Sequence, residues 1–421
     1  AWVEGAGIEF DSPEAEAAYT YRAGLFRDAV ELEKPPERVP VAGLGGGYAL
    51  ERAGVSQKAT FYDDWEKASE AVIKFHEDFE PDSAMFLFLM SGPAYECLGH
   101  TLMQWPGGDL PDDVQYQFLE QEYLKPEDYD HFLNDPSDYI LRRYLPQVNS
   151  ALKGLEKLPQ FSVDGLGFGP YYMAFLDPEV QEALEALKKA AELSVPPAQV
   201  TQQTMARLSA MGYPSRATGF GAAPFDILGD NLRGTRGIMT DLLRRPEKVT
   251  AACEKIADLT RVPDVPLGAS PMVMMPLHKG SDYFMSREQY ETFYWPTFKQ
   301  VMLKMIDEGL IPAPFAEGKF NERLEYITEL PRASTLWFFD QTDMHKAKDV
   351  LGDTCCIMGN VPITLISTGT AEQVKAYCRD LIETCGEGGG YILCPGTQID
   401  DGQEETIQAL VESAKEYGVY E

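Results

Sequence analysis

Positive charge is what this sequence has least of: 36 lysines and arginines stand against 67 aspartates and glutamates, for a formal net charge of -31. Such a chain repels phosphate backbones and anionic headgroups, so nucleic acid and membrane surfaces make poor partners. A cationic patch on another protein would suit it, and so would solubility alone. Long hydrophobic runs are missing too. The longest, from Ala84 to Met90, falls far short of the roughly 20 residues a membrane span needs, and no basic-then-apolar leader precedes the first strand. The expectation is a cytoplasmic protein. A disulfide framework is equally absent, because the 7 cysteines are odd in number, irregularly spaced and never in a C-x-x-C pair. They are read as reduced thiols, with the adjacent Cys355 and Cys356 packing in an apolar run. No phosphate loop, zincin helix or serine-hydrolase elbow occurs, and Gly43, Gly45, Gly46 and Gly47 do not complete a dinucleotide fingerprint.

What is present is a sequence of short apolar runs separated by longer amphipathic stretches, the pattern of repeated βα units. The runs are Val39 to Leu44, Ser83 to Met90, Ala217 to Gly221, Pro266 to Pro276, Ile311 to Glu317, Thr335 to Asp340, Cys355 to Gly359 and Tyr391 to Cys394. They predict an α/β fold, a closed (β/α)8 TIM barrel. Between them, Thr370 and Gln373 form a capping box for a helix with Val374, Tyr377 and Leu381 on one face, which the glycines from Gly386 end. A last helix carries Ile407, Leu410, Val411 and Ala414 as its stripe. Residues 1–36 are read as a helical arm outside the core, residues 37–421 as the barrel, and residues 111–199, rich in charge and helix formers, as a helical insertion near the mouth.

In an α/β barrel the reactive groups sit where strands end at their carboxyl side. The polar residues there are His278 after the run ending at Leu277, Glu317, Asp340 and Cys394. His278, Glu317 and Asp340 are the candidate catalytic group. With Cys394 they are also a candidate metal set, since one histidine and two carboxylates suit zinc or another divalent ion, with a thiolate as an optional extra ligand. Bland readings stand beside these: His278 bonding its loop, Glu317 pairing with a lysine or arginine, Asp340 capping a helix, and Cys394 packing in the core. Asp343 and His345 are alternates to Asp340. Tyr48, Asp226 and Asn360 follow other runs and are candidate substrate contacts.

The order of several motifs resembles the uroporphyrinogen decarboxylase superfamily, in particular its corrinoid-dependent methyltransferase branch. They are Gly219-Phe-Gly-Ala-Ala-Pro-Phe-Asp226 with Leu232-Arg-Gly234, then Arg245-Pro-Glu-Lys, then Met285-Ser-Arg-Glu-Gln-Tyr290 with Tyr294-Trp-Pro296. Met358-Gly-Asn-Val-Pro362, Gly389-Gly-Tyr-Ile-Leu and Glu416-Tyr-Gly-Val-Tyr420 follow. Two departures narrow the resemblance. Where a porphyrinogen decarboxylase carries an arginine-rich motif for a polycarboxylate, this chain reads Gly43-Leu-Gly-Gly-Gly-Tyr-Ala-Leu-Glu-Arg52. Where thiol-methylating relatives carry zinc-binding His-x-Cys and a later Cys, it has Phe315-Ala-Glu317 and Thr397.

The resemblance therefore implies a methyltransferase that moves a methyl group from a small, oxygen-linked donor, a methyl ether, to the corrinoid of a partner protein. One alternative is a decarboxylase of a small carboxylate, with Arg233 and Arg236 as its cations. Another is a non-catalytic barrel that binds a tetrapyrrole or a protein.

Overall fold

The computed structural model describes residues 1–62, 64–160 and 169–420. Two short strands, β1 (Met103–Gln104) and β2 (Gln117–Phe118), pair antiparallel as a hairpin. The other six are β3 (Gly219–Phe220), β4 (Met272–Leu277), β5 (Ile311–Ala316), β6 (Leu336–Phe339), β7 (Cys356–Met358) and β8 (Tyr391–Ile392). They form one parallel sheet in chain order. Two extended segments before them complete the ring. Ala42 N donates to Leu393 O at 3.0 Å and Leu393 N to Pro40 O at 2.9 Å, joining the first segment to the end of β8. Asp82 N donates to Val41 O at 3.0 Å, and Ala84 N to Pro214 O at 2.9 Å, joining the second segment to the first and to the approach to β3. The result is the (β/α)8 barrel that the spacing of apolar runs predicts.

Side chains alternate across each strand, and here the alternation separates two cores. Val273, Met275 and Leu277 of β4 face outward into the large cluster shared with the helices. Met272 belongs instead to a second cluster, with Ala313, Leu336, Phe338, Cys356 and Ile392, inside the ring. That inner cluster is sealed from below by the helix Pro13–Glu31, whose Phe26, Ala29 and Val30 lie at one-turn spacing and are 0%, 0% and 1% exposed. The N-terminal segment read as an arm is therefore helical but part of the core.

The helices carry the end signals read from sequence. Thr370 and Gln373 form a reciprocal capping box at the start of Ala371–Cys385, and Gly386 caps its end. Glu404–Tyr417 buries Ile407, Leu410, Val411 and Ala414. The strand read over Pro266 to Pro276 is shorter than expected and begins at Met272, because Pro266 and Pro271 have no N–H to give to a ladder. The insertion read over 111–199, of which residues 161–168 lie outside the described residues, is mostly helical. It also contains β2 of the unanticipated hairpin, and its last helix, Pro178–Ala210, runs on past the expected limit. Among the described residues no helix is long and apolar enough to cross a membrane.

Candidate active site

The inward parity of each strand fixes what meets at the upper rim. Inward positions Met274 and Pro276 of β4 lead to His278, Phe315 of β5 leads to Glu317, and Phe338 of β6 leads to Asp340. Three of the residues singled out by their place after a strand are thus brought to one opening. His278 Nε2 lies 3.7 Å from Glu317 Oε1, close enough for charge interaction but too far for a hydrogen bond. Asp340 Oδ2 accepts from Gly318 N at 3.0 Å, so it holds the loop that carries Glu317.

A helical turn that follows β3 organises His278. Pro224 opens the turn, and Asp226 and Asp230, four residues apart, fall on the same side of it. Residues Ile227–Arg233 are π-helical, a geometry that concentrates at functional sites. Asp226 accepts the backbone N–H groups of His278 at 3.1 Å and Lys279 at 2.9 Å, and the Tyr294 hydroxyl at 2.7 Å. Asp230 Oδ2 is 2.6 Å from His278 Nδ1, and its other oxygen accepts from Lys279 Nζ. Lys279, 2% exposed, also donates to Glu120 Oε1 at 2.8 Å. Glu120 lies just beyond β2 and receives Thr235 N at 2.7 Å, so one ion network ties the hairpin to the rim.

The electrostatics follow from these contacts. The hydrogen bond to Asp230 pushes the His278 pKa up to about 9; burial opposes the shift, and the charges of Asp230, Glu317 and Asp226 support it. At neutral pH His278 is an imidazolium whose Nδ1–H is committed to Asp230. Its Nε2–H faces the opening with no hydrogen-bond partner among the described residues. Burial pushes Asp230 upward, but the bond to His278 and the charge of Lys279 outweigh it and hold the carboxylate below its usual range. Burial holds Glu317 above its usual range, against the pull of His278 and with help from Asp340 and Asp230. Asp226 is pushed up to about 6 by burial and by the nearby Asp230.

Aromatic rings line the same opening. In the second extended segment Met85 and Leu87 pack outward in the large core, while the alternate residues Phe86 and Phe88 remain 48% and 47% exposed. Phe220, at the end of β3, is 53% exposed. Phe220 stands edge-on to Phe86 with ring centroids 5.3 Å apart, Phe86 is 6.1 Å from Phe88, and Phe88 is 6.2 Å from Tyr116 beside the hairpin. Tyr116 feels the charge of Glu317, which joins the aromatic row to the acid–base group. Asp230, Lys279 and these rings were not singled out from the sequence. The spacing Asp-x-x-x-Asp after a strand, and Phe-x-Phe in an alternating run, are the signals that could have found them.

Other expected site residues lie elsewhere. Tyr48 is 7% exposed and packs edge-on against Phe75 and Phe79 in the outer core. The glycines before it approach the loop after β8, where a Cβ on Gly46 would sit 2.2 Å from Ile399 O. Asp226 is a buried acceptor for the strand-end backbone rather than a substrate contact. Asn360 Nδ2 donates to Asp340 O at 3.0 Å and Thr342 O at 2.7 Å, so it braces a loop. Cys394 has no exposed surface and packs beside Gly43 in the inner cluster. Burial pushes its thiol upward, away from the thiolate a metal needs. Among the described residues no three His, Cys, Asp or Glu side chains are grouped to hold a metal ion. Asp343 caps the helix Met344–Leu351, and His345 pairs with Asp380 at 2.9 Å. Arg233 is locked against Asp241 at 2.7 Å, and Arg236 is exposed on the next helix.

The uroporphyrinogen decarboxylase (URO-D) family matches residues 165–417. The chain belongs to this family. A methyltransferase from Methanosarcina mazei has a similar structure, with a TM-score of 0.55 over 95% of this chain and 98% of that one, at 16% sequence identity. That likeness establishes the shared fold. No curated protein matches the chain by sequence.

Proposed function

We propose that this member of the family is a methyltransferase that takes a methyl group from an oxygen-linked donor, R–O–CH3, and delivers it to the corrinoid of a partner protein. The observation that carries the reading is the protonated His278, oriented by Asp230, with Nε2–H directed into the opening. Ethers are inert because their leaving group is a poor anion, and a preorganised proton donor addresses that difficulty. The corrinoid would supply a cobalt nucleophile for the methyl carbon. The residues of this chain bind the ether, orient its oxygen toward His278, and supply the proton as the carbon–oxygen bond breaks and its electron pair stays on oxygen. Asp230 stabilises the imidazolium before the step and fixes its ring afterwards. Glu317, 3.7 Å from Nε2, favours return of a proton to His278 from water.

The decarboxylase reading needs a free cation beside the substrate carboxylate. Arg233 is buried and paired with Asp241, and Lys279 is held between Asp230 and Glu120, which leaves Arg216, inside the ring beside Met358 and without a carboxylate partner among the described residues, as the cation that reading would need. The test is release of the demethylated alcohol or phenol from a panel of methyl ethers, with and without reduced corrinoid. Release that depends on the corrinoid supports the proposal. Carbon dioxide release from a carboxylated compound without corrinoid overturns it.

A further inference from the structure

Among the described residues the buried arginines each face a carboxylate. Arg38 pairs with Asp82 at 2.5 Å, Arg233 with Asp241 at 2.7 Å, and Arg323 lies 3.6 Å from Asp282. Arg216 departs from this pattern. It stands two inward steps before Phe220, and its guanidinium reaches into the ring, where Nη1 donates to Met358 Sδ at 3.0 Å. A guanidinium has five N–H donors, and a thioether is a weak acceptor for one of them. No carboxylate pairs with Arg216 among the described residues; the ionisable group beside it is the Cys394 thiol, which burial keeps protonated. Burial pulls Arg216 below the usual arginine range. A cation held out of water without a counter-charge is destabilising, and this one persists in a chain with 67 acidic residues to draw on.

The cation is also within reach of the opening. Thr218, between Arg216 and Phe220 at the same parity, is exposed, Phe220 is 53% exposed, and Arg216 keeps some exposed surface of its own. Open space therefore runs down this wall of the lumen. Register sets the depth: Pro276, Phe315, Phe338 and Met358 are paired across neighbouring strands as one inward layer, and His278, Glu317 and Asp340 follow two residues later. The guanidinium beside Met358 is thus about 7 Å below the rim, a span that one small molecule touching His278 can cover. We propose that Arg216 is an anion-binding site in the barrel lumen, which takes a carboxylate or similar oxyanion at one end of the substrate and leaves the other end toward His278. The orientation rests on the methyl-ether reading, while the anion site stands on the carboxylate-free Arg216 and its open wall. A planar guanidinium grips a carboxylate through two parallel bonds, so the charged end adds about tenfold or more in affinity over a neutral end of the same shape.

The experiment is titration calorimetry at pH 7 with 3-methoxypropionate, its uncharged analogue 3-methoxypropanamide, and acetate as probes. The full chain is compared with Arg216→Met and Arg216→Lys, each checked by circular dichroism and thermal melting. The expected result is that 3-methoxypropionate binds about tenfold or more tighter than the amide. Arg216→Met abolishes that advantage and Arg216→Lys keeps part of it. Without ligand, Arg216→Met melts no lower than the parent chain, because an apolar side chain of similar length replaces a charge that has no carboxylate. Equal binding of acid and amide, an advantage that survives Arg216→Met, or no binding of either overturns the proposal. So does a lower melting temperature in Arg216→Met with the charge preference unchanged, which would make the arginine a packing residue. Acetate that binds as tightly as 3-methoxypropionate would give the site to a free anion and overturn its assignment to the substrate. Charge preference as expected without corrinoid-dependent demethylation would refute the methyl-transfer reading alone. Demethylation of neutral ethers, with no gain for the acid and no loss in Arg216→Met, would refute this proposal alone.

Discussion

The two ends of the barrel interior are built on the same strand parity and used in opposite ways. At the lower end Met272, Leu336, Cys356 and Ile392 are at most 1% exposed, and Phe26 and Val30 of the N-terminal helix plug the space beneath them. At the upper end the same inward positions hold Phe86, Phe88 and Phe220, each about half exposed, and lead to His278, Glu317 and Asp340. The lower end gives its inward residues to packing, apart from Arg216, whose guanidinium donates to Met358 Sδ inside the ring, and a methyl group lost there is felt directly. The upper end leaves apolar surface in water and gathers charges whose pKa values are pushed apart, an arrangement that costs stability and suits chemistry. The comparison says which substitutions should alter turnover and which should alter only folding.

The largest effect is expected at the rim. His278→Gln removes the proton donor while keeping a side chain that can bond Asp230, so corrinoid-dependent demethylation should fall by about 10²- to 10⁴-fold with an unchanged circular dichroism spectrum. Retained turnover would mean that the upper end is not where the proton is delivered. Next is the plug. Phe26→Ala leaves a cavity under the inner cluster and should cost about 3–5 kcal/mol in a denaturant melt, while the molecules that stay folded turn over normally. If Phe26→Ala instead abolished turnover at full stability, the division between a packing end and a reactive end would be wrong.

Asp230→Asn sharpens the comparison through pH. The bond to Asp230 is the main reason His278 is raised to about 9, and the competent form is the imidazolium. Wild-type activity should therefore hold through neutral pH and fall as pH rises through about 9. The same shift adds stability that is fully present below the ordinary histidine value of about 6.5 and lost as pH rises through 9. With asparagine the alkaline limb should move down toward about 6.5, a loss of about thirtyfold at pH 8 beyond any loss at acid pH. An alkaline limb that stays near 9 in the variant would assign it to another group.

Much of this division is legible in the sequence, for physical reasons that also explain the gaps. The barrel follows from the period of apolar runs, and His278, Glu317 and Asp340 follow from a rule that needs only strand ends. That rule counts position and ignores depth, so it also selected Asn360 and Cys394, which share the parity but serve a loop and the packed layer. Asp230 and Glu120 were missed because they approach from a helical turn and from beside a hairpin, so only tertiary structure brings them to Lys279. The exposed phenylalanines were missed because an apolar strand residue reads as core until the ring above it proves to be open. The N-terminal helix was read as an arm for the converse reason: its stripe of Phe26, Ala29 and Val30 has meaning only once the barrel floor is there to receive it.

The smallest effect is the one that tests the boundary itself. Cys394 shares inward parity with the rim residues, yet it lies against Gly43 with a thiol that burial pushes upward. A buried thiol of this kind acts as a small apolar group, so Cys394→Ala should cost about 1 kcal/mol of stability and leave turnover within about twofold. Alanine is preferred to serine as the test because a hydroxyl there would be buried without a designed partner and would confuse packing with chemistry. The packing there is close: a Cβ at position 43, where the backbone has φ of +71°, would sit 3.2 Å from Cys394 Cβ. Should turnover collapse in a folded Cys394→Ala protein, the reactive end would extend one layer deeper than the exposure of its rings indicates. The open cavity would then have to reach past Phe86 and Phe220 toward the sealed floor.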